Sequence, residues 1–181
     1  DMVYGEDGYI YYAYSEEYDL YVQKLDIFGN PVWQTPLLAV SNMLLDDNIK
    51  AVYPYPGGGC IIIYESSSSI IGSFLIYGLA IDGNGEIMEN WTSTGVQLSD
   101  ITGLQEYDSS ILTNNGVLTI FTENSMGNIN LYAQLISYNG ELLMGVTGLQ
   151  LATGPYDEKS AALAYNTETN DVFACWENPR L

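Results

Sequence analysis

An eleven-residue stretch occurs three times in this chain, and that recurrence limits its possible folds more than any other feature. Leu20-Tyr21-Val22-Gln23-Lys24-Leu25-Asp26-Ile27-Phe28-Gly29-Asn30 returns as Ile76-Tyr77-Gly78-Leu79-Ala80-Ile81-Asp82-Gly83-Asn84-Gly85-Glu86. It returns again as Leu131-Tyr132-Ala133-Gln134-Leu135-Ile136-Ser137-Tyr138-Asn139-Gly140-Glu141. Tyr21, Tyr77 and Tyr132 stand 56 and 55 residues apart, and Gly29, Gly85 and Gly140 keep the same spacings. Self-similarity at a fixed period is the mark of a repeat architecture. A second echo strengthens it: Thr94-Gly95-Val96-Gln97-Leu98 reappears as Thr147-Gly148-Leu149-Gln150-Leu151.

Each period predicts four short strands. In the first repeat they fall near 2–4, 9–15, 20–26 and 31–35, with 37–45 leading to the next unit. In the second they fall near 49–55, 60–65, 74–81 and 86–90. In the third they fall near 109–113, 117–123, 129–137 and 141–145. A fourth repeat has only two, near 160–165 and 172–177. Asp26–Asn30, Asp82-Gly83-Asn84-Gly85 and Tyr138-Asn139-Gly140 supply the tight turns, where glycine meets the positive φ of a hairpin cheaply. No segment shows helical periodicity with caps, so little helix is expected.

Four short antiparallel strands per period of about 55 residues fit a β-propeller blade. The expected fold is all-β: a propeller-like array of about three and a half four-stranded antiparallel blades. The blades are 1–45, 46–100, 101–154 and, as a half blade, 155–181. Such small sheets are apolar on both faces and need neighbours to cover them. The unbroken apolar run Cys60-Ile61-Ile62-Ile63-Tyr64 reads as a strand buried on both sides. A two-sheet sandwich has similar strand density but does not predict the repeat. A half blade leaves an open sheet edge, which further blades of a parent protein or another chain would cover.

The pattern resembles the blade repeats of large secreted bacterial surface proteins, including cargo of the type IX secretion pathway. Gly58-Gly59, Trp176-Glu177-Asn178-Pro179-Arg180, Leu131-Tyr132-Ala133-Gln134 and Asp26–Asn30 with Trp33 carry the likeness. The Arg that follows Gln in those repeats is replaced by Lys24, Ala80 and Leu135, and the Trp before the acid by Tyr64 and Phe121. The resemblance implies an extracellular or cell-surface location and a display or binding role rather than a reaction.

With 23 acidic against 4 basic residues, the chain carries a formal charge of −19. Nucleic acid and anionic membrane surfaces would repel it. A hydrophobic fraction of 47% excludes a disordered acidic tail. No apolar run approaches the roughly 20 residues of a membrane helix. There is no visible signal peptide, and the start on Asp1 reads as a processed or excised end. Cys60 and Cys175 lie in non-neighbouring repeats and are expected as free thiols.

The absence of histidine removes the usual base of a nucleophilic triad and a common metal ligand. Asp82-Gly83-Asn84-Gly85-Glu86 partly imitates a calcium loop, but its equivalents keep the Gly and change the acids, so a hairpin turn is favoured. Acids after the second-strand aromatics (Glu16, Glu65, Glu123, Glu177) suit a structural role, such as capping a neighbouring blade's N–H groups. The candidate binding residues are the acids entering the inner strands: Asp46, Asp47, Glu106, Asp108, Asp157 and Glu158. In a propeller these share one face. There they would bind a cation or, in a glycosidase, act as the carboxylate pair.

The expected function is a non-catalytic extracellular module, a scaffold or binding surface for a protein or glycan within a larger protein. The rival is a fragment of a polysaccharide-acting enzyme with carboxylates at the channel mouth. No cofactor is expected, with calcium possible in an adhesin.

Overall fold

The computed structural model describes residues 1–41, 46–67, 74–124, 127–152 and 154–178. Its strands are β1 (Met2–Tyr4), β2 (Ile10–Glu16), β3 (Asp19–Leu25), β4 (Leu37–Val40), β5 (Asp47–Pro54), β6 (Gly59–Ser67) and β7 (Phe74–Asp82). They continue as β8 (Val96–Gln97), β9 (Leu104–Thr113), β10 (Gly116–Asn124), β11 (Asn130–Ser137), β12 (Leu149–Ala152), β13 (Lys159–Asn166) and β14 (Asp171–Glu177). All their pairings are antiparallel. No helix occurs among the described residues, and so none is long and apolar enough to cross a membrane.

β1 to β4 form one sheet in chain order. β5 to β12 count as one eight-stranded sheet, but β7 and β9 are joined by a single residue pair, Phe74 with Gln105. On either side of that junction lie two four-stranded ladders, β5–β8 and β9–β12. β13 and β14 form a separate hairpin.

The three recurring tyrosines occupy equivalent places. Tyr21 pairs with Tyr14, Tyr77 with Tyr64 and Tyr132 with Phe121, each directly across neighbouring strands. The rings stack at 5.4, 5.4 and 5.8 Å. Such cross-strand aromatic pairs contribute roughly 0.2–1 kcal/mol each beyond their burial. The turns that follow also match atom for atom. Gly29, Gly85 and Gly140 donate to the carbonyls of Asp26, Asp82 and Ser137, whose own N–H groups bond Asn30, Glu86 and Glu141. The Asp26, Asp82 and Ser137 side chains accept two further backbone N–H bonds each. Both carboxylates are held below the ordinary value. At Asp26 the bonds from Asn30 lead; at Asp82 burial pushes up and the turn's N–H groups outweigh it.

The fourth strand of each unit is a correction to the sequence reading. Segments 31–35, 86–90 and 141–145 are not strands; each makes one isolated bridge to the third strand, through Pro31, Ile87 and Leu142. The next bond runs from Val32, Met88 and Leu143 back to Lys24, Ala80 and Leu135. The chain then leaves the ladder. Its apolar side chains explain the departure: Trp33, Trp91, Met88, Leu142 and Met144 pack into the spaces between sheets. The real fourth strands are Leu37–Val40, placed in a connection by the sequence reading, and the Thr-Gly-x-Gln-Leu echoes at Val96–Gln97 and Leu149–Ala152.

The core lies between the sheets. Cys60, Ile62 and Tyr64 of β6 pack with Tyr11, Ala13, Leu20 and Val22 of the first sheet. The alternate residues Ile61 and Ile63 pack the other way, with Val117, Phe121 and Ile136. A third cluster sets Leu118, Ile120, Leu131 and Ala133 against Ala161, Leu163 and Val172 of the hairpin. Strand alternation thus sends successive side chains into different cores. Burying each such side chain contributes about 1.5–3 kcal/mol. Both cysteines are free; burial pushes the Cys60 thiol up to about 12, whereas Cys175 is exposed.

At the end sheets one face lacks this cover, as Met2 (60% exposed) and Phe173 (61%) show.

Gly59 and Gly116 open the second strand of two units at φ 109° and 134°. A Cβ there would stand 2.1 Å from the Ile81 carbonyl oxygen and 2.0 Å from that of Ile136. Gly59→Ala or Gly116→Ala should therefore cost upwards of about 4 kcal/mol or prevent folding, as judged by urea unfolding. Gly29→Ala has open space around it and should cost only about 1 kcal/mol.

Candidate functional site

Polar side chains collect where the first strands of successive units begin. Register makes Asp47, Gln105 and Glu158 equivalent: Asp47 pairs with Ser66, Gln105 with Glu123, and Glu158 precedes Lys159, the partner of Glu177. All three are buried. Just beyond them each first strand carries a β-bulge, at Lys50, at Asp108 and at Ser160–Ala161. A bulge re-aims the extra side chain and bends the strand.

In the second unit the bulge residue Lys50 reaches Glu65 at 2.7 Å. The other Glu65 oxygen accepts the Tyr107 N–H of the third unit at 2.6 Å. Glu65 is almost wholly buried, so the ion pair and the borrowed N–H together make its charge tolerable. In the third unit the bulge residue Asp108 accepts the Ala161 N–H of the hairpin at 2.9 Å. In both cases an acid of one unit caps the backbone of the next.

Glu158 accepts the Trp176 indole N–H at 3.1 Å and the Asn178 amide at 2.8 Å. Asp157 accepts the Ile129 N–H at 3.1 Å. Asp46 is exposed, its backbone bonded to Ser67. Asp47 differs: neither oxygen has a hydrogen-bond partner among the described residues. Burial pushes its pKa above the ordinary value, and the charges of Asp19 and Asp46 push it further.

Two clefts open at this end. One, of ≈ 540 Å³, is lined by Asn48, Lys50, Glu65, Phe74, Gln105 and Glu106 among others. The other, of ≈ 280 Å³, is lined by Glu106, Tyr107, Asp108, Thr122, Lys159 and Ser160 among others. Of the six acids that the sequence singled out, Glu106 and Asp108 come together here. The other four do not line these clefts. No group of three or more Cys, Asp or Glu residues is placed to hold a metal ion among the described residues.

Lys50, Glu65 and Gln105 were absent from the sequence-derived set. Glu65 carried a signal, since it follows the second-strand aromatic Tyr64. Its ion pair with Lys50 depends on a bulge that no local pattern announces. Glu123 was grouped with Glu65 as a repeated acid, yet it lies one position further from its aromatic. It therefore points to the opposite face, and its Oε1 has no partner among the described residues.

A second polar cluster joins the first and second units on other loops. Lys24 Nζ bonds Asp7 at 2.8 Å and the Gly83 carbonyl at 2.9 Å, and lies 4.1 Å from the Tyr9 ring centre. Tyr11 donates its hydroxyl to the same Asp7 oxygen. Burial pushes the Asp7 carboxyl up, but bonds from Lys24 and Tyr11 and the Lys24 charge outweigh it and hold the carboxyl below its ordinary value. With its ammonium fully engaged, Lys24 is a joint between units.

No protein-family model, no curated protein and no solved structure matches the chain.

Lys50→Met keeps the aliphatic stem but strands the Glu65 charge, and should cost about 1–3 kcal/mol in urea unfolding. Adding Glu65→Gln should recover most of that loss, because the amide oxygen still accepts the Tyr107 N–H. For Asp47, the native chain retains a proton that the unfolded chain has already released, so stability falls as pH rises above the ordinary value of 3.8. Asp47→Asn should raise Tm at neutral pH, and the gain should vanish below about pH 3 in calorimetric scans.

Proposed function

We propose that the chain is a non-catalytic β-propeller-type module that serves as a scaffold and binding surface within a larger extracellular or cell-surface protein. The observation that carries this reading is the commitment of four acids around the inner-strand ends. Glu65 holds Lys50 and a neighbouring N–H, Asp108 caps the Ala161 N–H of the hairpin, Asp157 reaches back to the Ile129 N–H of the third unit, and Glu158 binds Trp176 and Asn178 within the hairpin. A glycosidase needs one carboxyl to donate a proton and a second to act as nucleophile or base. Carboxylates locked into backbone caps and an ion pair serve neither role.

The propeller arrangement is supported by three successive inter-sheet cores and by equivalent aromatic pairs in each full unit. The surface location rests on the resemblance described above and on the charge of −19, which keeps such a module soluble while aromatic sheet surface is exposed.

Incubation with soluble polysaccharides should release no new reducing ends. Sustained release that Glu65→Gln or Glu106→Gln abolishes would overturn the non-catalytic reading and restore the enzyme. Calcium should leave Tm unchanged in the same buffer; a saturable rise would point to a calcium-dependent adhesin instead.

A further inference from the structure

The larger of the two clefts contains an unmet demand. Gln105 is 2% exposed and lines the cleft between the second and third units. Its Nε2 donates to the Ile101 carbonyl at 2.9 Å, which fixes the amide orientation. Its Oε1 has no hydrogen-bond partner among the described residues. Its cross-strand neighbour Glu123, also 2% exposed, has an Oε1 in the same condition. Buried acceptors without donors destabilise a fold, so a donor brought by a ligand is favoured there.

The rest of the lining narrows the ligand. Asn48 and Asn124 offer amides that both donate and accept, Lys50 donates, and Glu106 accepts. Phe74, Leu104 and Ile129 supply apolar wall. Lys50 and Glu65 neutralise each other, so a cation entering would meet the Lys50 ammonium. An anion would meet Glu106 and the field of a chain at −19. An uncharged polyol avoids both conflicts, because every hydroxyl can donate to Gln105 or Glu106 and accept from an amide or from Lys50. Its C–H faces suit the apolar wall. The ≈ 540 Å³ volume lies within the range of about 300–1,000 Å³ typical of small-molecule sites.

We propose that this cleft is a subsite for an uncharged sugar residue of a glycan, with the Gln105 side-chain oxygen as its deepest acceptor. The proposal rests on the reading of the chain as a binding module and names its ligand class.

The test is a titration of the 181-residue chain, followed by NMR at the side-chain amides of Gln105, Asn48 and Asn124. The probes are the methyl glycosides of glucose, mannose, galactose and N-acetylglucosamine, with glucosamine and glucuronic acid as charged comparators. At least one uncharged glycoside should shift these amides saturably in the millimolar range. Gln105→Met should weaken that binding about tenfold or more; it also removes the bond to the Ile101 carbonyl, so its Tm should fall modestly while the chain stays folded for the titration. Glu106→Gln, on the cleft rim, provides a second variant whose folding is not in question.

No saturable shift up to roughly 50 mM would overturn the proposal. So would preference for a charged comparator, or binding indifferent to both substitutions. Cleavage of a bound glycoside, seen as methanol release, would leave the subsite standing and overturn only the non-catalytic reading.

Discussion

The structure depends on sheets that are apolar on both faces and so cannot stand alone. β6 shows the constraint most directly, because Cys60 through Ser66 are all buried while neighbouring side chains point opposite ways. Ile62 and Ile61 lie next to each other in the chain and yet belong to different cores. Each interface is therefore shared property of two units. A substitution in one sheet is felt by its neighbour, and no unit has a private core to fall back on.

Polar groups then hold the stacked sheets in register. Gln134 is the fullest example among them: fully buried, it donates to the Leu98 carbonyl of the second unit and to Gly145 of its own. Its oxygen accepts the N–H groups of Leu135 and Met144. Gln23 repeats part of this arrangement, accepting from Lys24 and reaching the Trp33 carbonyl. The second unit has Leu79 there and relies on packing instead. Trp91 and Tyr55 add bonds to the Tyr138 carbonyl across the interface between the second and third units.

Four acids near the inner-strand ends, Glu65, Asp108, Asp157 and Glu158, are spent on N–H groups or an ion pair. What remains unspent includes the Gln105 oxygen, Glu106 on the rim and the amides around one cleft, together with both Asp47 oxygens and the Glu123 Oε1.

Much of this was legible before any coordinates. The spacing of Tyr21, Tyr77 and Tyr132 required equivalent surroundings, and the glycine turns required positive φ, since both follow from local chain chemistry. The inner and middle strands fell close to their predicted places for the same reason. The fourth strands did not, because Trp33, Trp91 and Leu142 look like strand residues until a neighbouring sheet is present to receive them. The candidate acids could be picked out from the sequence, but which of them share a cleft was hidden. Bulges at Lys50 and Asp108 decide that, and a bulge is set by how two strands compete for hydrogen bonds. Sequence by itself determined the repeat, the strand-rich character and the turns, all of which are encoded within a few adjacent residues. Only the tertiary structure decided where each ladder ends, which carboxylate is spent, and which buried oxygen is left waiting, because those outcomes depend on contacts between units that are far apart in the chain.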